Sequence, residues 1–338
     1  MTSLRPVSGP APEIVAALDA WLARPEEPEP LVVETSGSTG RPKRVVLSRH
    51  AVLASVHASA RRLGAQGRWL LALPASYVAG VQVVCRSLVA GHAPLLTPTF
   101  AAPARTAGDP PLFTSLVPTQ LYRLLDSPEE TAGLRRLHTV LVGGGPVDQD
   151  LRGRAEVAGL HVVATYGASE TAGGCVYDGV PLDGVAVALA ADGRVRIGGP
   201  TLFDGYQDDP GLTAECLVDG WFLTADAGRL DEDGRLQVLG RLDDVVVSGG
   251  VNVPTPAVAA RLRAHPDVRA VEVVGVPDPE WGQRVVAFVV GDLTTEQARD
   301  WVGQVHPRTW APRTVVHLHA LPLLDNGKVD RLRLQELA

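Results

Sequence analysis

The sequence predicts an α/β region, then antiparallel β structure, then a small α+β segment, divided into a large N-terminal domain at residues 1–240 and a small C-terminal domain at 241–338. Three observations carry this. Before residue 180, short apolar runs ended by Gly, Pro or polar clusters alternate with helical stretches, which implies largely parallel sheets. After it, short strands are divided by turns such as Ala191-Asp192-Gly193 and Asp231-Glu232-Asp233-Gly234. At 338 residues the chain also exceeds the ~250 to 300 at which single cores stop growing, so two domains are expected.

In chain order, residues 14–23 have apolar positions at helical spacing, and the proline-rich, acidic run 24–30 forbids continuation. Leu31-Val32-Val33-Glu34 is a buried strand leading into a Ser/Thr/Gly loop. Val45-Val46-Leu47-Ser48 is a strand leaving it, with Ser48 capping a helix over residues 51–62. Further strands are expected at 69–74, 112–117, 139–142 and 161–166, with a mostly apolar helix at 80–90. The β region contributes strands at 185–189, 194–197, 220–223 and 235–239. The last domain, entered at Gly240 to Asp243, holds strands at 245–247, 270–276 and 284–290 and a helix near 256–264.

The hydrophobic share of 45% and charged share of 20% suit a globular enzyme and exclude a disordered chain. A net charge of -7 argues against a general nucleic-acid binder, which needs a basic surface to displace counterions. Cys85, Cys175 and Cys216 are too widely spaced for a zinc site or a disulfide framework, so reduced, buried thiols are expected. No apolar run approaches the ~18 residues of a membrane span, and the first residues do not read as a signal peptide; a cytoplasmic location without membrane partners is the expectation. The sequence leaves a homo-oligomer open.

Only Lys43 and Lys328 among the 31 Lys and Arg residues are lysines. An ammonium is a compact point charge where a guanidinium is a broad fork, so each lysine marks a place where that difference can matter. Lys43 closes the run Thr35-Ser36-Gly37-Ser38-Thr39-Gly40-Arg41-Pro42-Lys43, which sets hydroxyls, glycines and one ammonium in a single loop. Glycines let backbone approach a phosphate, hydroxyls and N–H groups donate to its oxygens, and lysine offsets its charge. The loop lacks the GxxxxGK[ST] order of nucleotide triphosphatases.

This loop resembles the phosphate-binding signature of the adenylate-forming superfamily of acyl-CoA synthetases, luciferases and adenylation domains. Four further motifs follow in the family's order: Tyr166-Gly167-Ala168-Ser169-Glu170-Thr171, Trp221-Phe222-Leu223-Thr224-Ala225-Asp226, Gly240-Arg241-Leu242-Asp243-Asp244 and Asn326-Gly327-Lys328. The resemblance implies the adenylate-forming fold with a mobile C-terminal domain, and small-molecule substrates: ATP, Mg2+ and coenzyme A with an organic acid. It implies catalytic places for Lys328, Thr171 and Glu170, with Lys328 stabilising charge at the α-phosphate and Glu170 taking the metal. Thr35 to Gly40 and Lys43 would hold phosphate. Tyr166, Gly167, Gly143, Gly144 and Gly145 would flank the adenine and acyl groups, Asp226 and Arg241 would hold the ribose, and Asp243 would be the hinge. Ser248, Gly249 and Gly250 would face the thiol-bearing arm of coenzyme A.

The phosphate loop begins at residue 35, much earlier than in most of the superfamily, so a substantial part of the usual first subdomain is expected to be missing or reduced. Such chains resemble the compact 2-succinylbenzoate–CoA ligase group of menaquinone synthesis, as do residues 169–184 and the stretch from Leu73-Pro74 to Ala90-Gly91. Arg86 is a lone cation in an apolar helix, and a buried guanidinium is unfavourable unless it meets an anion. It is the candidate for the substrate's second carboxylate; pairing with a structural acid, or snorkelling to the surface, stands beside that reading. Tyr77 occupies a position at the acyl pocket where the family often has histidine, and it does not titrate near neutrality. Another aryl- or short-acyl-CoA synthetase, and a family member that binds adenylate without turnover, are the alternatives.

Overall fold

The computed structural model describes residues 2–35, 42–97, 99–101, 108–147, 149–324, 327 and 329–338, with Asp243 described in its backbone alone. The chain separates into two compact units. The first comprises Met1–Ala188, Arg196–Thr224 and Leu230–Leu236; the second comprises Leu189–Val195, Ala225–Arg229 and Gln237–Ala338. The second unit therefore takes in two short excursions that precede residue 240. They belong together because the turn at 190–194 closes on itself and Gly228 donates its N–H to the Gly193 carbonyl at 3.0 Å.

In the first unit a six-stranded sheet is ordered Val180–Pro181, Gly173–Tyr177, Val162–Ala168, Thr139–Gly143, Leu112–Leu116 and Arg68–Leu70. The last four strands run parallel, and Gly173–Tyr177 turns back antiparallel on Val162–Ala168. Leu112–Leu116 is buried throughout, as expected of a parallel strand covered on both faces. A three-stranded sheet is ordered Gly205–Tyr206, Lys43–Leu47 and Leu31–Thr35. The helix Arg49–Leu63 starts where the sequence places its cap: Ser48 Oγ accepts the Ala51 N–H at 3.3 Å. Its inner face and that of helix Val78–Val89 join one core with Trp69, Phe113, Phe203 and Phe222. Gly80 sits in that second helix because a β-carbon there would stand 2.0 Å from the Pro74 carbonyl oxygen.

The second unit is built on a sheet ordered Val251–Pro254, Val245–Ser248, Gly282–Gly291 and Val268–Asp278, with Thr314–His317 parallel to Gly282–Gly291. Val268–Asp278 and Gly282–Gly291 form a long hairpin, one or two residues longer at each end than the strands expected at 270–276 and 284–290. Helices Thr255–Arg263 and Thr295–Gly303 close its core on Val273, Ala287 and Val289. Helix Arg331–Glu336 buries Leu334 against Val274, Val286 and Phe288. No helix among the described residues is long and apolar enough to cross a membrane.

Candidate active site

The strands Leu31–Thr35 and Lys43–Leu47 pair antiparallel from Leu31 with Leu47 to Thr35 with Lys43, so the ends of the Ser/Thr/Gly run are neighbours. Ser36, Gly37, Ser38, Thr39 and Gly40 lie outside the described residues. Lys43 is half-buried, and its Nζ stands over the ring of Tyr206, 5.4 Å from the centroid. That contact follows from the third strand, in which Tyr206 lies opposite Val45.

The strand Val162–Ala168 runs into a single 3-10 turn, Ser169–Thr171, before the chain reverses at Gly173. Thr171 holds this turn. Its buried hydroxyl accepts the Ala168 N–H at 2.9 Å and lies 2.7 Å from the Gly173 carbonyl, to which it donates. Glu170 is carried inward and is 8% exposed. The Tyr206 hydroxyl donates to Glu170 Oε1 at 2.7 Å. Burial first, then the negative charge and hydrogen bond of Glu170, push the Tyr206 phenol well above its ordinary range, so Tyr206 stays a donor.

Among the described residues no group of three His, Cys, Asp or Glu forms a self-contained metal cage. One buried carboxylate nonetheless fits Mg2+, which keeps several waters and takes one or two carboxylates together with substrate phosphates. Tyr206 engages Oε1, and among the described residues no hydrogen bond is made to Oε2, which could take such a cation.

The glycines expected to flank the adenine and acyl groups also have a cause within the fold. A β-carbon on Gly143 would stand 2.4 Å from Thr165 Oγ1, and one on Gly167 2.2 Å from the Gly173 carbonyl oxygen, so the adjoining strands themselves demand glycine. Gly144 has φ 78, which favours glycine outright. Gly145 meets Pro118 only at ordinary contact distance. Tyr166 lies in the same strand as Gly167, opposite Val176.

Arg86 is buried and neither reaches the surface nor pairs with a carboxylate among the described residues. Its guanidinium lies over Trp69, 5.0 Å from the ring centroid, and Nη2 donates to the Tyr177 hydroxyl at 3.2 Å. Ser59 shares that hydroxyl at 2.8 Å, while Arg86 Nε has no partner among the described residues. One helical turn earlier, Gln82 is 1% exposed with both amide atoms unpartnered among the described residues. Its stem packs on Gly173. Tyr77 is the N-cap of this helix, half-buried, with its side chain making no capping bond.

In the second unit, Asp226 and Arg241 lie on strands Trp221–Leu230 and Leu236–Arg241, which pair with one another. Beside the expected hinge, Asp244 is bonded by Arg331, which also holds Glu272 at 2.6 Å. Ser248 is buried, and Gly249 has φ 57 with the Trp281 ring 2.5 Å from where a β-carbon would stand; Gly250 faces open space. Lys328 lies outside the described residues, and of Asp243 only the backbone, in the 3-10 turn Leu242–Asp244, is described. Sequence reasoning missed Tyr206 and Gln82. The available signal for the first was Phe203 and Tyr206 close together after a glycine pair; for the second, an amide within an otherwise apolar helical run.

The chain belongs to the AMP-binding enzyme family: that family's model matches residues 24–206, and the model of the AMP-binding enzyme C-terminal domain matches residues 257–328. It is 44% identical over 321 residues to a protein of Mycobacterium tuberculosis (strain H37Rv) named probable 2-succinylbenzoate–CoA ligase, covering 90% of this chain and 83% of that one. It is 32% identical over 336 residues to 2-succinylbenzoate–CoA ligase of Bacillus cereus (strain AH820), covering 90% and 69%. The fold is that of adenylate-forming enzymes. The o-succinylbenzoate CoA synthetase of Bacillus subtilis, solved with its acyl-adenylate intermediate, superposes with a TM-score of 0.75 at 27% identity over 90% of this chain and 68% of that one. ATP-bound MatB from Rhodopseudomonas palustris gives 0.79 at 26% identity, over 90% and 67%.

Proposed function

We propose that this chain is an AMP-forming acid–CoA ligase that takes 2-succinylbenzoate. A carboxylate oxygen of the acid attacks the α-phosphorus of ATP, the bond from that phosphorus to the bridging oxygen breaks, and pyrophosphate leaves. The thiol of coenzyme A then attacks the acyl carbon, giving the thioester, AMP and a proton. One observation carries the reading: 44% identity over 90% of the chain to a protein named for this reaction.

Lys43 and the hydroxyls and N–H groups of Thr35 to Gly40 bind phosphate, and Asp226 with Arg241 bind the ribose. Tyr166, Gly167 and Gly143 to Gly145 flank the planar groups. Thr171 fixes the turn that carries Glu170, and Glu170 holds Mg2+, which when bound offsets phosphate charge. Lys328 is assigned to the α-phosphate, where its ammonium would offset the charge that builds as the carboxylate attacks. Asp243 is the pivot, and Ser248, Gly249 and Gly250 meet the arm of coenzyme A. Arg86, a buried cation without a carboxylate partner among the described residues, is assigned to the second carboxylate of the substrate, with Tyr77 at the mouth of the acyl pocket.

A second reading, a different acid on the same frame, is favoured by the structural likeness to ATP-bound MatB, which is as strong as that to the succinylbenzoate enzyme. Pyrophosphate release measured separately with each acid distinguishes them. Release with 2-succinylbenzoate alone supports the first reading, release with another acid the second, and none with any acid marks a binding protein without turnover.

A further inference from the structure

We propose that Tyr206 is a positioning residue for Glu170, holding that carboxylate toward Mg2+ while keeping the Lys43 ammonium separate for phosphate; this rests on the reading of Glu170 as the metal-holding residue. The hydroxyl of Tyr206 donates to Glu170 Oε1 at 2.7 Å, and the face of the same ring carries Lys43 Nζ at 5.4 Å. One side chain thus engages the anion at its tip and the cation on its face. A direct pair between Lys43 and Glu170 would consume both charges, each of which the nucleotide needs. The ring satisfies the two separately.

The ring itself is fixed. Phe203 packs edge-on against it with centroids 5.0 Å apart, and Phe222 packs on Phe203 at 5.5 Å. Its backbone N–H donates to Thr213 Oγ1 at 2.8 Å, and its strand is paired to the one that begins at Lys43. The carboxylate therefore gains a donor that cannot swing away, the kind of outer partner that orients a metal-binding group.

The test is calorimetric titration of ATP, without acid or coenzyme A, into the full chain with Mg2+ and again with a chelator. Wild type binds ATP more tightly with Mg2+. Tyr206→Phe keeps the ring and its packing, so it binds metal-free ATP as wild type does and loses roughly tenfold or more of the metal-dependent tightening. Undiminished tightening in Tyr206→Phe overturns the proposal, as does loss of metal-free binding, which would make Tyr206 part of the general frame. Glu170→Gln separates this from the reading beneath it. If that variant loses the tightening while Tyr206→Phe keeps it, the positioning role alone fails. If Glu170→Gln keeps it, Glu170 does not hold the metal and both fail.

Discussion

Gln82 lies against Gly173: a β-carbon placed on Gly173 would stand 3.2 Å from Gln82 Cγ, and Gly173 has φ 93. The close contact joins the helix Val78–Val89 to the turn that carries Glu170 and Thr171. Two costs would follow from Gly173→Ala, and their sizes differ. An overlap of a few tenths of an ångström on a flexible glutamine stem can relax, whereas left-handed backbone costs an L-residue about 1 to 2 kcal/mol. Gly173→Ala is therefore expected to destabilise the protein by about that amount in urea unfolding, and Gln82→Ala in the same chain to restore less than half of it. Full restoration would show that the side-chain contact dominates.

Lys328→Ala should abolish adenylate formation while leaving thioester formation from preformed acyl-adenylate largely intact, because the ammonium acts where charge builds at phosphorus. Single-turnover assays of the two half-reactions check this. Equal loss in both would count against the assignment.

Arg86 gives the sharpest test of substrate choice. A hydrogen bond to a charged group is worth roughly 1.5 to 3 kcal/mol, so Arg86→Ala should lower kcat/KM for 2-succinylbenzoate by about 10- to 150-fold. An analogue without the ring carboxylate should lose much less. A general packing defect around Trp69 and Tyr177 would depress both alike and show Arg86 to be structural.

The motifs were legible because each is contiguous: the phosphate loop, the Glu170 turn, the Asp226 strand, the Arg241 segment and the Lys328 tail identify the fold without any long-range contact. Tyr206 was not legible because its bond to Glu170 spans 36 residues and depends on a two-residue strand at Gly205–Tyr206. The resemblance places Gly143 and Gly167 beside the nucleotide, and what it does not reveal is that their strand neighbours also exclude a side chain there. The strand expected at 220–223 runs from Trp221 to Leu230, continuing through small and polar residues that an apolar count discards.

The cysteines bear on pH. Burial pushes the Cys85 thiol from its ordinary 9.0 up to about 12, with the Arg86 charge opposing it, and burial does the same for Cys175. Both thiols stay protonated in the folded state, and unfolded thiols ionise near 9. Their contribution to stability is therefore complete below about pH 9 and is lost as pH rises toward 12. Iodoacetamide at pH 8 should label Cys216, which is half-buried, ahead of the other two; early labelling of Cys85 or Cys175 would contradict their burial.

The central claim is that this chain joins 2-succinylbenzoate to coenzyme A through an adenylate. Mass spectrometry of the products formed from ATP, Mg2+, coenzyme A and a mixture of aryl, short-chain and dicarboxylic acids tests it most directly. The account predicts 2-succinylbenzoyl-CoA as the main thioester, with AMP and pyrophosphate released alongside it. A different acyl-CoA as the main product, ADP in place of AMP, or no thioester at all would contradict it.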